Sequence, residues 1–213
     1  LLKSISGKIN GYFQNLTRIA AMKKIVIING HPNPESFNFA LAEAYKKGAL
    51  QKGAEVKEII ISQLNFNPDL SFGYRKRMEW EPDLQQAWET IQWADHQVWI
   101  HPVWWGGLPA VMKGFIDRLF LPGYAFKYRP DSLFWDKLLK GKTAHIITTM
   151  DQPGWYYRLM FARPSINQLK KATLQFCGVS PVRVTKIGII KTSDETKRLK
   201  WLEKTRKLGN KVQ

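Results

Sequence analysis

At 213 residues the chain is long enough to bury one full core and too short for two comfortable ones. Lys and Arg number 33 against 17 Asp and Glu, a formal charge of +16 that attracts phosphates, whether through a solvated basic face, an anionic dinucleotide, nucleic acid or an anionic membrane surface. The single cysteine, Cys177, excludes an intramolecular disulfide and any multi-cysteine metal site, and no apolar run reaches the ~18 to 20 residues of a membrane span.

Residues 1–21 contain no methionine and no signal-peptide apolar core, while Met22 opens a clean strand pattern, so they are read as a leader and set aside from the fold. With Lys3, Lys8 and Arg18 and no acid, an amphipathic anchor is the alternative reading of that stretch. One domain is expected over 22–213. KIVIING, 24–30, is a continuous β-branched run, the pattern of a central strand covered on both faces of a parallel sheet. It ends in HPNPESFN, 31–38, and a helix follows over 37–52 with Ser36 as its N-cap. A helix N-terminus with free N–H groups and a hydroxyl beside it is an anion site, which predicts a phosphate at Ser36, Phe37 and Asn38. The spacing is not G-x-G-x-x-G, so the common dinucleotide fingerprint is absent.

Gly53 ends that helix and EVKEIII, 55–61, is a second strand. The polar connection 62–82, with a basic knot at Arg75, Lys76 and Arg77, is long enough to border a site or a dimer contact, or to run plainly over the surface. A helix over 83–93 leads to the strand HQVWIHP, 96–102, and then to the loop HPVWWGGLP. There Trp104 and Trp105 can offer ring edges or faces to a planar heterocycle, while Gly106 and Gly107 let backbone N–H groups approach it. A tight turn with buried tryptophans is the alternative. Pro109 suits the start of a helix that places Val111, Met112, Phe115, Ile116, Leu119 and Phe120 at helical spacing.

After a short segment at 125–128 and a polar-aromatic detour at 131–140, TAHIITT, 143–149, is the fourth strand. The loop TTMDQPGWYY, 148–157, follows it. A helix over 165–176, a fifth strand over 182–190 and a terminal helix over 192–208 complete the chain. Strands alternating with helices give an open doubly wound parallel α/β sheet, and in such sheets ligands gather at the carboxyl ends of the strands. All three motif loops follow strands. The run Lys197, Arg198, Lys200, Lys204, Arg206, Lys207 and Lys211 lies on the terminal helix beside no base-reading module, so no nucleic-acid partner is expected. His31, His96, His101 and His145 lack metal-ligand spacing, so no metal is expected.

Three stretches in order, INGHPNPESFNFALA, HPVWWGGLPAVMKGFIDRLFLPGYAF and TTM, make the chain resemble the flavodoxin-like NAD(P)H:quinone oxidoreductases over nearly all of its length after residue 21. The resemblance implies a five-stranded sheet in order 2-1-3-4-5. It also implies a flavin, FMN or alternatively FAD, with His31, Ser36, Phe37 and Asn38 at its phosphate side, Pro102, Val103, Trp104, Trp105 and Gly106 at the isoalloxazine, and Thr148 and Thr149 at its far edge. NADPH or NADH would be the hydride donor, a quinone-like electrophile the acceptor, and a cytoplasmic homodimer the assembly. The family usually carries Thr-Thr-Gly-Gly followed by a catalytic Tyr and a His; here Met150 and Asp151 replace the glycines and no histidine follows, leaving Tyr156 or Tyr157 as the catalytic phenol. Asp151 is expected to point away from the flavin or to cap a turn, since a carboxylate would repel a reduced flavin anion. A flavodoxin-like electron carrier and a redox-sensing subunit of a membrane transporter are the alternative functions.

Overall fold

The structure is a computed structural model that describes residues 22–212. The stretch read as a leader lies outside the described residues. In chain order the elements are β1 (Lys24–Asn29), α1 (Phe37–Gln51), β2 (Glu55–Ile60), α2 (Pro82–Trp93), β3 (His96–Pro102), α3 (Ala110–Leu119), β4 (Phe126–Tyr128), β5 (Trp135–Lys137), β6 (Thr143–Thr149), α4 (Gly154–Phe161), α5 (Pro164–Asn167), β7 (Val182–Ile187) and α6 (Glu195–Gly209). The chain beyond α5 keeps coiling as a wider π-helical stretch through Gln168–Gln175.

Five strands form one parallel sheet in order β2-β1-β3-β6-β7, and β4 pairs antiparallel with β5 in a separate hairpin. Setting the hairpin aside, this is the expected order 2-1-3-4-5. The strand side chains alternate between two cores. Ile25, Ile27, Val98, Ile100 and Ile147 pack under α1 and α6, while Val26, Ile28, Trp99 and Ile146 pack against α2, α3 and the coil after α5. β1 is covered on both sides, so Ile25–Ile28 read as an unbroken apolar run, while β3 is buried along its whole length although it carries His96, Gln97 and His101. Helices α1 and α6 meet backbone to backbone: a Cβ added at Gly48 would overlap the Arg206 carbonyl, and one at Gly209 would overlap the Tyr45 carbonyl.

The 62–81 connection is tied down from an unexpected quarter. Arg118 of α3, 1% exposed, sends its guanidinium to the carbonyls of Asn67 and Glu79 and to the Glu81 carboxylate at 2.8 Å, and Trp80 Nε1 donates to the Arg118 carbonyl at 2.7 Å. Pro68 sits against Gly114 so closely that a Cβ there would clash. The connection is therefore an outer layer on α3. Two further elements were not expected: the hairpin, where the sequence shows only a detour, and α4, inside what reads as a loop.

Candidate functional site

The loop after β1 is built from side chains standing in for backbone. Asn29 Oδ1 accepts the His31 N–H, His31 Nδ1 accepts the Asn33 N–H, and Asn33 Oδ1 accepts the Glu35 N–H, each within 3.0 Å. Every second residue thus catches the amide two positions on, with Pro32 and Pro34, which have no amide, between them. This chain of turns delivers Ser36 to the N-cap of α1, where its backbone is extended. Its hydroxyl makes no cap bond and is buried without a partner. Asn38 is buried in the first turn; its Oδ1 accepts from Thr149 Oγ1 at 2.8 Å, which leaves its Nδ2 donor unpartnered. The N–H groups of a first helical turn have no intrahelical acceptor, so hydroxyl, amide and backbone donors converge on one spot at the positive end of the helix.

The loop after β3 forms the second wall. Trp104 and Gly107 exchange both backbone hydrogen bonds, at 3.2 and 2.8 Å, around a turn whose central residues Trp105 and Gly106 have φ of 48° and 74°. Two positive φ values in succession mark a type I′ turn; Gly106 adopts its place freely, whereas Trp105 pays about 1–2 kcal/mol for a left-handed backbone. Its ring stands wholly in solvent, and Trp104 is 43% exposed with its ring edge-on to His31 at 5.4 Å. The Val103 N–H bonds the Thr149 carbonyl at 2.8 Å, joining this wall to the loop after β6.

The third loop carries Met150, buried, whose carbonyl accepts the Ile190 N–H, and Asp151, whose Oδ1 accepts the Lys191 N–H at 2.7 Å. Asp151 thus caps the turn after β7, the second of the two arrangements expected for it. The three loops enclose a cleft of about 240 Å³ lined by His31, Ser36, Phe37, Asn38, Pro102, Val103, Trp104, Thr149, Met150, Asp151 and Ile190. It lies at the carboxyl ends of β1, β3 and β6, as the topology requires. No residue of the 62–81 connection reaches it.

Eight of the predicted cofactor residues therefore share one cleft: His31, Ser36, Phe37, Asn38, Pro102, Val103, Trp104 and Thr149. Trp105 and Gly106 form the turn above it. Thr148 is buried, but by strand alternation it faces the opposite side of the sheet from Thr149, in register with His101; Thr148 Oγ1 and His101 Nε2 are both without partners. Burial pushes the His101 imidazole down to about 4, while its bond to the Pro102 carbonyl pulls weakly the other way. His31 is lowered by burial too, opposed by its bond from Asn33.

The two phenols differ. Tyr157 is fully buried and its hydroxyl lies 2.8 Å from the Gly106 carbonyl and 2.7 Å from Ser165 Oγ, while accepting the Ser165 N–H at 3.0 Å. It fastens α4 and α5 to the Trp104–Gly107 turn. Tyr156, on the other side of α4, is 37% exposed and makes no hydrogen bond to another described residue. Met150 and Asp151 line the cleft where the sequence suggested a departure, and Ile190 lines it with no signal in the sequence. Asn29, the polar end of an apolar strand, was legible in retrospect; it orients His31 and keeps its own Nδ2 unpartnered.

A flavin fits these residues. Buried donors without acceptors at Ser36 and Asn38 suit an anionic phosphate, and the aromatic and apolar lining at Trp104, Val103 and Met150 suits a planar ring. No group of His, Cys, Asp or Glu among the described residues is arranged to hold a metal ion, and no described helix is long and apolar enough to cross a membrane.

The family described by the flavodoxin-like fold matches residues 23–208. Rat NAD(P)H dehydrogenase [quinone] 1 is 27% identical over 196 residues, covering 79% of this chain and 70% of the rat protein. Smu.1420 of Streptococcus mutans superposes with a TM-score of 0.78 at 32% identity, covering 88% of this chain and 99% of its own. An FMN-dependent NADH-azoreductase of Bacillus anthracis, solved with FMN, shares the fold at a TM-score of 0.67 and 18% identity, covering 88% of this chain and 98% of that one. With the cleft, the sheet order and these likenesses together, the chain belongs to the flavodoxin-like NAD(P)H:quinone oxidoreductase family.

Proposed function

We propose that this protein takes hydride from NADPH, or from NADH, and passes two electrons to a quinone or a similar planar electrophile in a ping-pong cycle, with FMN held in the cleft. The observation that carries the reading is the convergence of unpartnered buried donors, Ser36 Oγ and Asn38 Nδ2, with an aromatic slot at the carboxyl edge of the sheet. One phosphate satisfies these donors, which favours FMN, with FAD the alternative. When bound, the flavin supplies the two-electron carrier that no side chain can provide.

The chain's own residues bind, orient and exclude. Ser36, Asn38 and the first-turn N–H groups of α1 hold the phosphate, with His31 beside them. Pro102, Val103 and Trp104 hold one side of the ring system, and the backbone N–H groups of Trp105 and Gly106, which the turn's own closing bonds leave unused, are the donors for developing negative charge. Thr149 keeps Asn38 oriented, and Thr148 supports the strand end from the other face. Tyr156, whose hydroxyl is uncommitted, is the phenol that donates to the bound acceptor, while Tyr157 positions the turn. The surplus of positive charge favours NADPH over NADH through its extra phosphate.

The unit that works is a homodimer. Trp105, Trp155, Leu159, Met160 and Phe161 are all exposed, and Tyr157 links their two segments, so they form one apolar edge beside the cleft. Contiguous exposed apolar surface of this kind marks a protein contact.

The deciding experiment is an anaerobic visible spectrum of the protein supplied with FMN, before and after NADPH and then after a benzoquinone. Bands that bleach and return are expected. Bound flavin that neither pyridine nucleotide bleaches would refute the oxidoreductase cycle, and failure to bind flavin would refute the cofactor.

A further inference from the structure

The amino-terminal end of the sheet, opposite the flavin cleft, carries a polar cluster that the proposed reaction does not use. Register places His96 of β3 beside Thr143 of β6, and His145 beside Arg183 of β7. Residues in register share a face, so all four project toward α1 and α6, onto the face that farther along holds Ile25, Ile27, Val98, Ile100 and Ile147. Tyr45 of α1 comes down on them: its hydroxyl is 3.2 Å from His96 Nε2, and His96 Nδ1 is 2.6 Å from Thr143 Oγ1. His145 Nε2 meets Thr185 Oγ1 at 2.8 Å.

This cluster opens into a cavity of about 150 Å³ whose walls include Lys23, Arg183 and Lys211, with no Asp or Glu among the lining residues. Among the described residues none of these three cations forms an ion pair. Their charge is felt inside: after burial itself, Arg183 holds down His145 and, with Lys23, His96. A pocket of one sign, with polar donors at its base, is incomplete without a counter-ion.

We propose that this pocket binds a small tetrahedral oxyanion, inorganic phosphate or the phosphate end of a small monoester, between Arg183, Lys23 and Lys211. The cavity holds one such group and has no slot for a nucleotide base. The site is separate from the flavin's phosphate cradle and does not rest on the proposed reaction.

The test uses the full chain and inorganic phosphate at constant ionic strength, with chloride as the balancing salt. Phosphate is expected to raise the melting temperature saturably and to move the His145 imidazole resonances in NMR. Arg183→Gln should weaken that response by about tenfold or more, as loss of a charge-assisted hydrogen bond implies. Ser36→Ala, which alters the flavin cradle, should leave the His145 response intact. Phenyl phosphate in parallel separates the sources: tighter binding than phosphate assigns a monoester, weaker binding assigns the free ion. His145 resonances unmoved by phosphate, or a response undiminished in Arg183→Gln, would overturn the assignment.

Discussion

Replacing Tyr157 with Phe tests whether the aromatic turn is held from behind. The phenol lies against three groups: the Gly106 carbonyl at 2.8 Å, Ser165 Oγ at 2.7 Å and the Ser165 N–H at 3.0 Å. Phenylalanine keeps the ring's packing and removes only the oxygen. The Gly106 carbonyl and the Ser165 N–H retain each other at 3.2 Å, so the group left without a partner is the buried Ser165 hydroxyl. One unsatisfied buried polar group costs about 1–3 kcal/mol. At ~2–4 °C per kcal/mol for a chain of this size, a loss near ~2 kcal/mol lowers Tm by about 4–8 °C in a circular-dichroism melt. Tyr156→Phe removes a hydroxyl with no described partner and should stay within ~0.5 kcal/mol of the parent. The double variant Tyr157→Phe/Ser165→Ala should recover part of the loss, because removing both partners leaves nothing orphaned. In flavin titrations Tyr157→Phe should bind more weakly, whereas Tyr156→Phe should bind normally and turn over more slowly. Equal melting temperatures for the two single variants would refute the claim that Tyr157 braces the turn.

Trp105→Ala should loosen flavin and weaken the proposed homodimer contact, because the exposed ring stands beside the cleft; full occupancy with unchanged turnover would show that the ring has no part in the site. Arg118→Ala strands the Glu81 carboxylate and two carbonyls and should cost about 3–5 kcal/mol in a urea titration, a smaller effect showing that the 62–81 layer holds by other contacts. Gly48→Ala drives a methyl into the Arg206 carbonyl and should destabilise by about 1–3 kcal/mol or more; a neutral result would mean that α1 and α6 can slide apart freely. Burial pushes His96 down to about 3 and His145 to about 4, with Arg183 adding to both and Lys23 and His145 to the first. Unfolded histidines take a proton near ~6.5 while these stay neutral, so stability is full above that pH and declines below it, by up to ~1.4 kcal/mol per unit for each group, until the folded values are reached. Tyr45, Lys23, Arg183 and Lys211 are the charged or titratable groups around the pair. His145→Gln should flatten the fall in Tm between neutral pH and pH ~5, and an unchanged slope would remove His145 from the effect.

Much of the sheet was legible because strands covered on both faces keep an apolar centre, even where their ends carry buried polar residues such as His96 and Thr148. Residues 24–29, 96–102 and 143–149 fall where the β-branched runs predict. The start of α1 was legible for a different reason: Ser36 after alternating Asn, His and Pro is an N-cap residue, and the helix begins at Phe37. Helix α4 was not, because its pattern is inverted. Only Tyr157 of Gly154–Phe161 is buried, so the 3.6-residue periodicity that signals a helix packed on its own core is missing. Arg118 escaped notice because a basic residue in the last turn of α3 looks like a favourable charge at a helix end, and only the folded chain shows three partners converging on it. The helix expected to start at Pro109 does begin there, with Pro109 as N-cap rather than first helical residue, and the fifth strand stops at Ile187, three residues early, because the chain turns to place Ile190 against Met150.

The tryptophans carry the argument one step further. Trp88 and Trp99 are buried, and Trp80, Trp93, Trp135 and Trp201 pack against one core or the other, as their bulk dictates. The remaining three, Trp104, Trp105 and Trp155, are exposed, and Tyr157 ties the two segments that carry them together. Trp105 also holds a left-handed backbone that glycine would adopt at no cost, so nothing in the described fold rewards it for being there. Strain and apolar exposure at one position persist when a partner recovers what they cost. A planar ring in the cleft accounts for Trp104, whose edge faces His31 within the lining. It does not account for Leu159 and Met160, at 71% and 65% exposed on α4. In the proposed homodimer a second copy of the chain seated on α4 would cover both.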